Sequence, residues 1–197
     1  MRSGATQNKY SVLALWSMVL ILAVSNGLLL RQNLHLRELL KKFEPDRLKA
    51  GDKLESFSAV GLNGESVKVD FASDAPRRVL MFLSPDCPYC REQFNYWHKI
   101  IDVATDKQFE VVAVAMNSED RSKLAAYLDS MHCPANSKTF SVALISEEIR
   151  KKYKFSTTPT TLIVSSDGKA DAVWNGVLKP SDIETANSIL GLPQKGT

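Results

Sequence analysis

Val79-Leu80-Met81-Phe82-Leu83-Ser84-Pro85-Asp86-Cys87-Pro88-Tyr89-Cys90 leads from an unbroken apolar run, through a short break, into two cysteines with two residues between them. The run Val79 to Leu83 suits a strand buried on both faces of a sheet. After the break, Cys90, Phe94, Trp97 and Ile101 recur at i, i+4, i+7 and i+11, the spacing of one helix face. Cys90 is therefore expected on the face turned to the core. Cys87 is expected at the first helical turn, pointing to solvent. A pair placed this way can cycle between dithiol and disulfide, the exposed sulfur attacking and the sheltered one resolving.

Free N–H groups and the positive end of the macrodipole stabilise a thiolate at a helix start. Cysteines so placed ionise at roughly pH 3.5–7.5 rather than near 8.5. Pro88 fits the first turn because the N–H it lacks would have no partner there. Asp86 acts in the opposite sense: a carboxylate beside Cys87 disfavours its thiolate unless it turns away.

Two cysteines at this spacing also occur in metal sites. Structural zinc needs four ligands, and the remaining candidates Cys133, His35, His98 and His132 do not repeat a ligand spacing. Copper held by the two thiols with His132 is a further alternative, and would make the chain a metallochaperone rather than an enzyme. A purely structural disulfide would close too short a loop to restrict the unfolded chain much. The expectation is a redox pair with no metal and no bound cofactor.

Thr157-Thr158-Pro159-Thr160 lies some seventy residues on, just before the apolar run Thr161-Leu162-Ile163-Val164. Alone, Pro159 would read as the start of an edge strand. With strand, CxxC and helix before it, the arrangement resembles the thioredoxin-like superfamily. The resemblance implies that Pro159 is cis and packs against the cysteine pair. It also implies that Thr158 offers its backbone to an extended substrate segment by strand addition.

The chain has 197 residues, enough for one domain and an accessory segment. Residues 1–10 read as a short tail. Ser11 to Leu30 is uncharged and mostly apolar, long enough for a transmembrane anchor. A cleaved signal peptide ending near Ala23-Val24-Ser25 is the competing reading, but Leu28-Leu29-Leu30 carry the apolar run past that site. Residues 31–49 read as a helical stalk with Leu36, Leu40 and Phe43 on one face, broken at Glu44-Pro45-Asp46. Residues 50–192 form the domain. Phe57 to Leu62, the Asn63-Gly64 turn and Val67 to Val69 read as an N-terminal β-hairpin. The active-site helix is expected to about Val103, then a strand Phe109 to Met116, a helix from Ser118 through Leu128 and a strand Phe140 to Leu144. A helix Ser146 to Lys154, the strand to Val164, the Asp167-Gly168 turn, a strand near Ala172 to Trp174 and a helix Ser181 to Leu190 complete it. The fold class is α/β: a central mixed sheet flanked by helices.

The hairpin and the extra strand–helix unit before Pro159 resemble the redoxin branch, with its membrane-anchored bacterial thiol–disulfide oxidoreductases. These include the thioredoxin-like proteins of cytochrome c maturation and of methylamine dehydrogenase maturation. Phe82 to Pro88 and Leu30-Arg31-Gln32 are the pieces closest to the latter. The chain departs from thioredoxins in Asp86 before the first cysteine and Pro88-Tyr89 between the two. Where the cytochrome-maturation reductases often carry a glutamate, three residues after the second cysteine, it has Gln93. Pro-Tyr is the glutaredoxin dipeptide, but Ser165-Ser166-Asp167-Gly168 does not supply the glutaredoxin Gly-Gly element. An intermediate redox potential is expected. Peroxiredoxins share the scaffold, and Ser84 stands three before Cys87 as in their frame, but Leu80 holds the frame's proline position.

Cys133, the odd cysteine, could cross-link chains or react as a second resolving thiol, but it reads as a buried or half-buried small hydrophobe. The formal charge of +3, from 25 basic and 22 acidic residues, is too small and dispersed to argue for nucleic acid. Arg2 and Lys9 precede the anchor, while Arg31, Arg37, Lys41 and Lys42 follow it, so charge bias alone would leave the domain in the cytoplasm. The resemblance implies the opposite: the inner membrane, with the domain on the periplasmic side. The expected activity is disulfide exchange with cysteine-containing client proteins, fed by an electron-donating thiol protein. Cys87 and Cys90 carry it, Thr158 and Pro159 hold the client, and Asp86, Pro88 and Tyr89 flank the pair.

Overall fold

Among the described residues, a single sheet forms the centre of the fold. The computed structural model describes residues 4–43, 47–72, 75–107, 109–116, 120–133 and 140–192. It divides into two units, residues 1–46 and 47–197. The described residues of the first form one helix, α1 (Gly4–Phe43), continuous through the expected boundary between anchor and stalk. Within it Leu15–Leu39 is long and apolar enough to cross a membrane, and none of that span is buried. The expected break at Glu44-Pro45-Asp46 lies outside the described residues.

The strands of the second unit are β1 (Phe57–Val60), β2 (Ser66–Val69), β3 (Arg77–Leu83), β4 (Phe109–Ala115), β5 (Phe140–Leu144), β6 (Thr160–Ser165) and β7 (Ala170–Asn175). Its helices are α2 (Pro88–Lys107), α3 (Arg121–Ser130), α4 (Glu147–Lys152) and α5 (Pro180–Leu190). Among the described residues these seven strands make one sheet in the order β2-β1-β5-β4-β3-β6-β7, and β3 is parallel to β4 and antiparallel to β6, so the sheet is mixed. β3 sits in the interior of the sheet with helices on both faces. Val79, Met81 and Leu83 enter one core with Cys90, Phe94, Trp97, Leu124 and Ala186. Leu80 and Phe82 enter the other with Phe57, Val69, Tyr153 and Phe155. A strand with no solvent face needs the unbroken apolar run seen in the sequence.

Several boundaries moved. The first hairpin strand stops at Val60 rather than Leu62, because Gly61 N–H donates to Glu65 O at 2.7 Å and Gly64 N–H to Gly61 O at 3.1 Å, closing the turn early. Gly64 takes a φ of +90°, which suits glycine. Asp120 caps α3 by accepting from Lys123 N–H at 3.0 Å; Ser118 and Glu119 of the expected helix start lie outside the described residues. Ser146 caps α4 through Ile149 N–H, and the helix ends at Lys152, before Lys154 turns left-handed at φ 58°. Leu48, assigned to the stalk, is buried in the second core.

Candidate active site

β3 carries the chain to the top of the sheet, and α2 takes it away. In the loop between them Cys87 N–H donates to Ser84 O at 3.1 Å, and Asp86 N–H to Ser84 Oγ at 3.4 Å. Cys87 therefore stands immediately before the first helical residue, Pro88, and its carbonyl accepts from Cys90 N–H at 3.2 Å. One turn on, Cys90 is wholly buried on the inward face, as the stripe predicts.

Cys87 does not simply face solvent, as expected from its helix position. It is half-buried, and its thiol donates to Thr158 O at 3.3 Å. Strand register explains the meeting. Phe82 pairs with Thr160, so the residues just beyond β3 must face those just before β6. The Thr158–Pro159 bond is cis, as the resemblance implied, and Pro159 is buried. The loop is pinned from several sides. Gly176 N–H donates to Pro159 O at 2.7 Å, and Thr160 Oγ1 donates to Thr157 O at 2.9 Å. Trp97 Nε1 donates to Thr161 Oγ1 at 2.9 Å, tying α2 directly to β6.

The two sulfurs differ sharply in acidity. Burial raises Cys87, but the Thr158 side chain, the Cys90 thiol and the N–H groups of Cys90 and Tyr89 outweigh it and hold Cys87 below an ordinary thiol. The bond to Thr158 O requires the proton and favours the neutral form; on ionisation these other donors take over. Cys90 is pushed up to about 12, first by burial and then by the Cys87 sulfur beside it. Asp86 turns out of the way: its carboxylate is exposed and pairs with Lys123 from α3. Lys123 is 37 residues away, with no sequence signal to connect the two. Pro88 and Tyr89 lie exposed at the rim, Tyr89 at 62 %.

Gln93 holds no proton to exchange. It is buried, and its Oε1 accepts from Leu178 N–H at 2.8 Å, a structural link between α2 and the segment before α5. Glu92 is exposed on another face of the helix. Cys133 packs half-buried against the core that holds Cys90, and burial pushes it up to about 12. Among the described residues no three His, Cys, Asp or Glu side chains come together in a way that could hold a metal ion.

Limited iodoacetamide at neutral pH should therefore modify Cys87 much faster than Cys90 or Cys133. A lowered thiol keeps its thiolate as pH falls below about 8.5, where an ordinary cysteine loses it. The rate for Cys87 should stay high below that point and fall only through its own lower value. Mass spectrometry of labelled peptides reads this; three cysteines labelled equally would contradict the geometry.

A thioredoxin-like domain model matches residues 65–187, well over half of the chain. The thioredoxin domain of a thiol-disulfide oxidoreductase from Bacteroides vulgatus superposes with a TM-score of 0.59 at 19% identity, covering 73% of this chain and 99% of that one. A putative thiol:disulfide interchange protein DsbE from Chlorobium tepidum gives 0.60 at 25% identity, covering 73% and 97%. StoA from Bacillus subtilis gives 0.53 at 18% identity, covering 68% and 94%. No curated protein matches the chain in sequence.

Proposed function

The chain belongs to the thioredoxin-like domain family, and from that premise we propose that it is a membrane-tethered thiol–disulfide oxidoreductase acting through Cys87 and Cys90. One observation carries the reading: a half-exposed, acidified sulfur at a helix start, backed by a buried, weakly acidic one and bonded to the residue before a cis-proline. The Cys87 thiolate attacks a client disulfide. One client sulfur leaves as thiolate, and a Cys87–client disulfide forms. Cys90 then attacks Cys87 Sγ, the second client sulfur leaves, and Cys87–Cys90 becomes the disulfide. Two electrons and two protons pass to the client. An electron-donating thiol protein restores the dithiol; run backwards, the same steps oxidise a client.

Thr158 and Pro159 hold the client segment, and the exposed Tyr89, with Pro88 and Asp86, forms the rim it meets. α1 serves as the anchor, with its apolar side chains exposed for lipid. The domain works on the periplasmic side of the inner membrane, where disulfide chemistry persists. The purified full chain should catalyse insulin reduction by dithiothreitol, and a periplasm-dependent reporter fused after Thr197 should be active. Peroxide consumption faster than disulfide exchange, stoichiometric copper or zinc after reducing purification, or activity of cytoplasmic reporters alone would each overturn the corresponding part.

A further inference from the structure

α1 is one helix from Gly4 to Phe43, so a pattern that crosses from the uncharged stretch into the stalk stays on one helix face. Lettered in heptads a to g, Leu15, Leu22, Leu29 and Leu36 fall at successive d positions. Val19, Asn26 and Asn33 fall at the a positions between them, and Val12 and Leu40 continue that register in both directions. The stalk by itself holds one or two such repeats. The unbroken helix holds three between Leu15 and Leu36, enough for a continuous seam between two helices.

Leucine at d carries little weight in a leucine-rich span; the asparagines carry the argument. Asn26 lies inside the uncharged stretch Ser11 to Leu30, where a membrane helix has lipid rather than water around it. Its Nδ2 donates to Leu22 O, one turn back, at 2.9 Å, which uses one of its two N–H groups. The other N–H and Oδ1 have no partner among the described residues, and the side chain is exposed on the helix surface. Asn33, seven residues on and past Arg31, is exposed on the same face. Water cannot satisfy an amide at the depth of Asn26, and leaving it unbonded in hydrocarbon is costly. An amide on a neighbouring helix can satisfy it.

We propose that α1 pairs in the membrane with α1 of a second copy of this chain, parallel and in register, through the face that carries Leu22, Asn26, Leu29 and Asn33. The proposal rests on the membrane-tethered reading above. Copies of a chain with one span cross in the same direction, so their helices meet in parallel. In a parallel pair each a residue faces its own counterpart. Asn26 then donates its remaining N–H to the amide oxygen of the opposite Asn26 and accepts in return. A helix of another protein would need an amide at the same depth, whereas a second copy has one by identity. Register is fixed too: sliding one helix by a heptad leaves one asparagine against Val19 and another against Leu40. Valine at a with leucine at d favours two strands over three, and a strict seven-residue repeat coils them left-handed.

The test uses the full chain in membranes of the bacteria that express it, with Cys87→Ser, Cys90→Ser and Cys133→Ala removing the native thiols. Single cysteines are placed on the seam (Val19→Cys, Leu22→Cys, Leu29→Cys) or off it (Ile21→Cys, Val24→Cys, Leu28→Cys). After oxidation with copper phenanthroline, non-reducing electrophoresis should show a band of twice the chain mass, several-fold stronger for the seam positions. In detergent, sedimentation equilibrium of Asn26→Leu should give a dimer dissociation constant raised about tenfold, the loss expected for interhelical amide bonds. Asn26→Gln, which keeps the amide, should lose less. Cross-linking that is absent, equal at all positions, strongest off the seam, or confined to adducts with a different protein would overturn the proposal. So would an unchanged dissociation constant in Asn26→Leu. Washing the membranes with alkaline carbonate separates the two readings. A chain that is retained but never cross-linked overturns the pairing alone, whereas a chain that washes out overturns the tether and the pairing with it.

Discussion

Cys87→Ser is expected to lose disulfide exchange entirely, while Cys90→Ser stalls after one step and accumulates mixed disulfides. The two outcomes differ because the sulfurs occupy different physical settings. A serine at position 87 keeps the helix-start N–H groups and the contact to Thr158 but stays protonated at any workable pH, so no nucleophile exists. Cys90→Ser removes the buried attacker and leaves the Cys87 thiolate, which is held below the ordinary thiol range by its donors, free to form and keep a bond with a client. Covalent adducts that disappear on reduction, seen by non-reducing electrophoresis and mass spectrometry in the native cell, would also identify the client. Full insulin-reducing activity in either variant would refute the assignment. Trapping by Cys87→Ser and none by Cys90→Ser would show that the roles are reversed.

Trp97→Ala is expected to remove about 3–5 kcal/mol of stability, the usual range for emptying a large buried aromatic site. Against the roughly 5–15 kcal/mol that hold a typical domain together, that is close to unfolding. Trp97 is fully buried on α2, in edge contact with Phe94 at 5.1 Å, and its indole N–H is the bond from α2 to β6. Trp97→Phe fills most of the volume but leaves the buried Thr161 hydroxyl without that donor, for a smaller loss of about 1–3 kcal/mol. Urea unfolding midpoints separate the two contributions. The functional consequence follows from where β6 begins: loosening it from α2 frees the loop that brings Thr158 to Cys87. Even the Phe variant should therefore show a smaller difference in alkylation rate between Cys87 and Cys90. A Trp97→Ala protein as stable as the unaltered chain would show that this contact does not hold the two elements together.

Much of this architecture is legible in local patterns. Alternating residues of an unbroken apolar run must enter two different cores, and Val79 to Leu83 do so. A stripe at helical spacing must face inward, and Cys90, Phe94, Trp97 and Ile101 are all buried. Ser146 was readable as a helix start because a short side chain can reach back to a free N–H, whereas the helix expected from Ser118 is capped at Asp120. Boundaries were less legible. The hairpin strand looked longer than it is because Leu62 continues the apolar pattern into a turn that glycines close earlier.

The candidate site shows the same division. Sequence alone determined that one cysteine would be sheltered and the other set at a helix start, because helix periodicity and end effects act over a single turn. Only the tertiary structure decided that Thr158, 71 residues away, meets Cys87, that Lys123 draws Asp86 aside, and that Gln93 is anchored to Leu178. Those meetings depend on the register of β3 against β6 and on how α3 docks against α2. Such long-range fits are set by the packing of many side chains at once, and no single segment of the chain carries them.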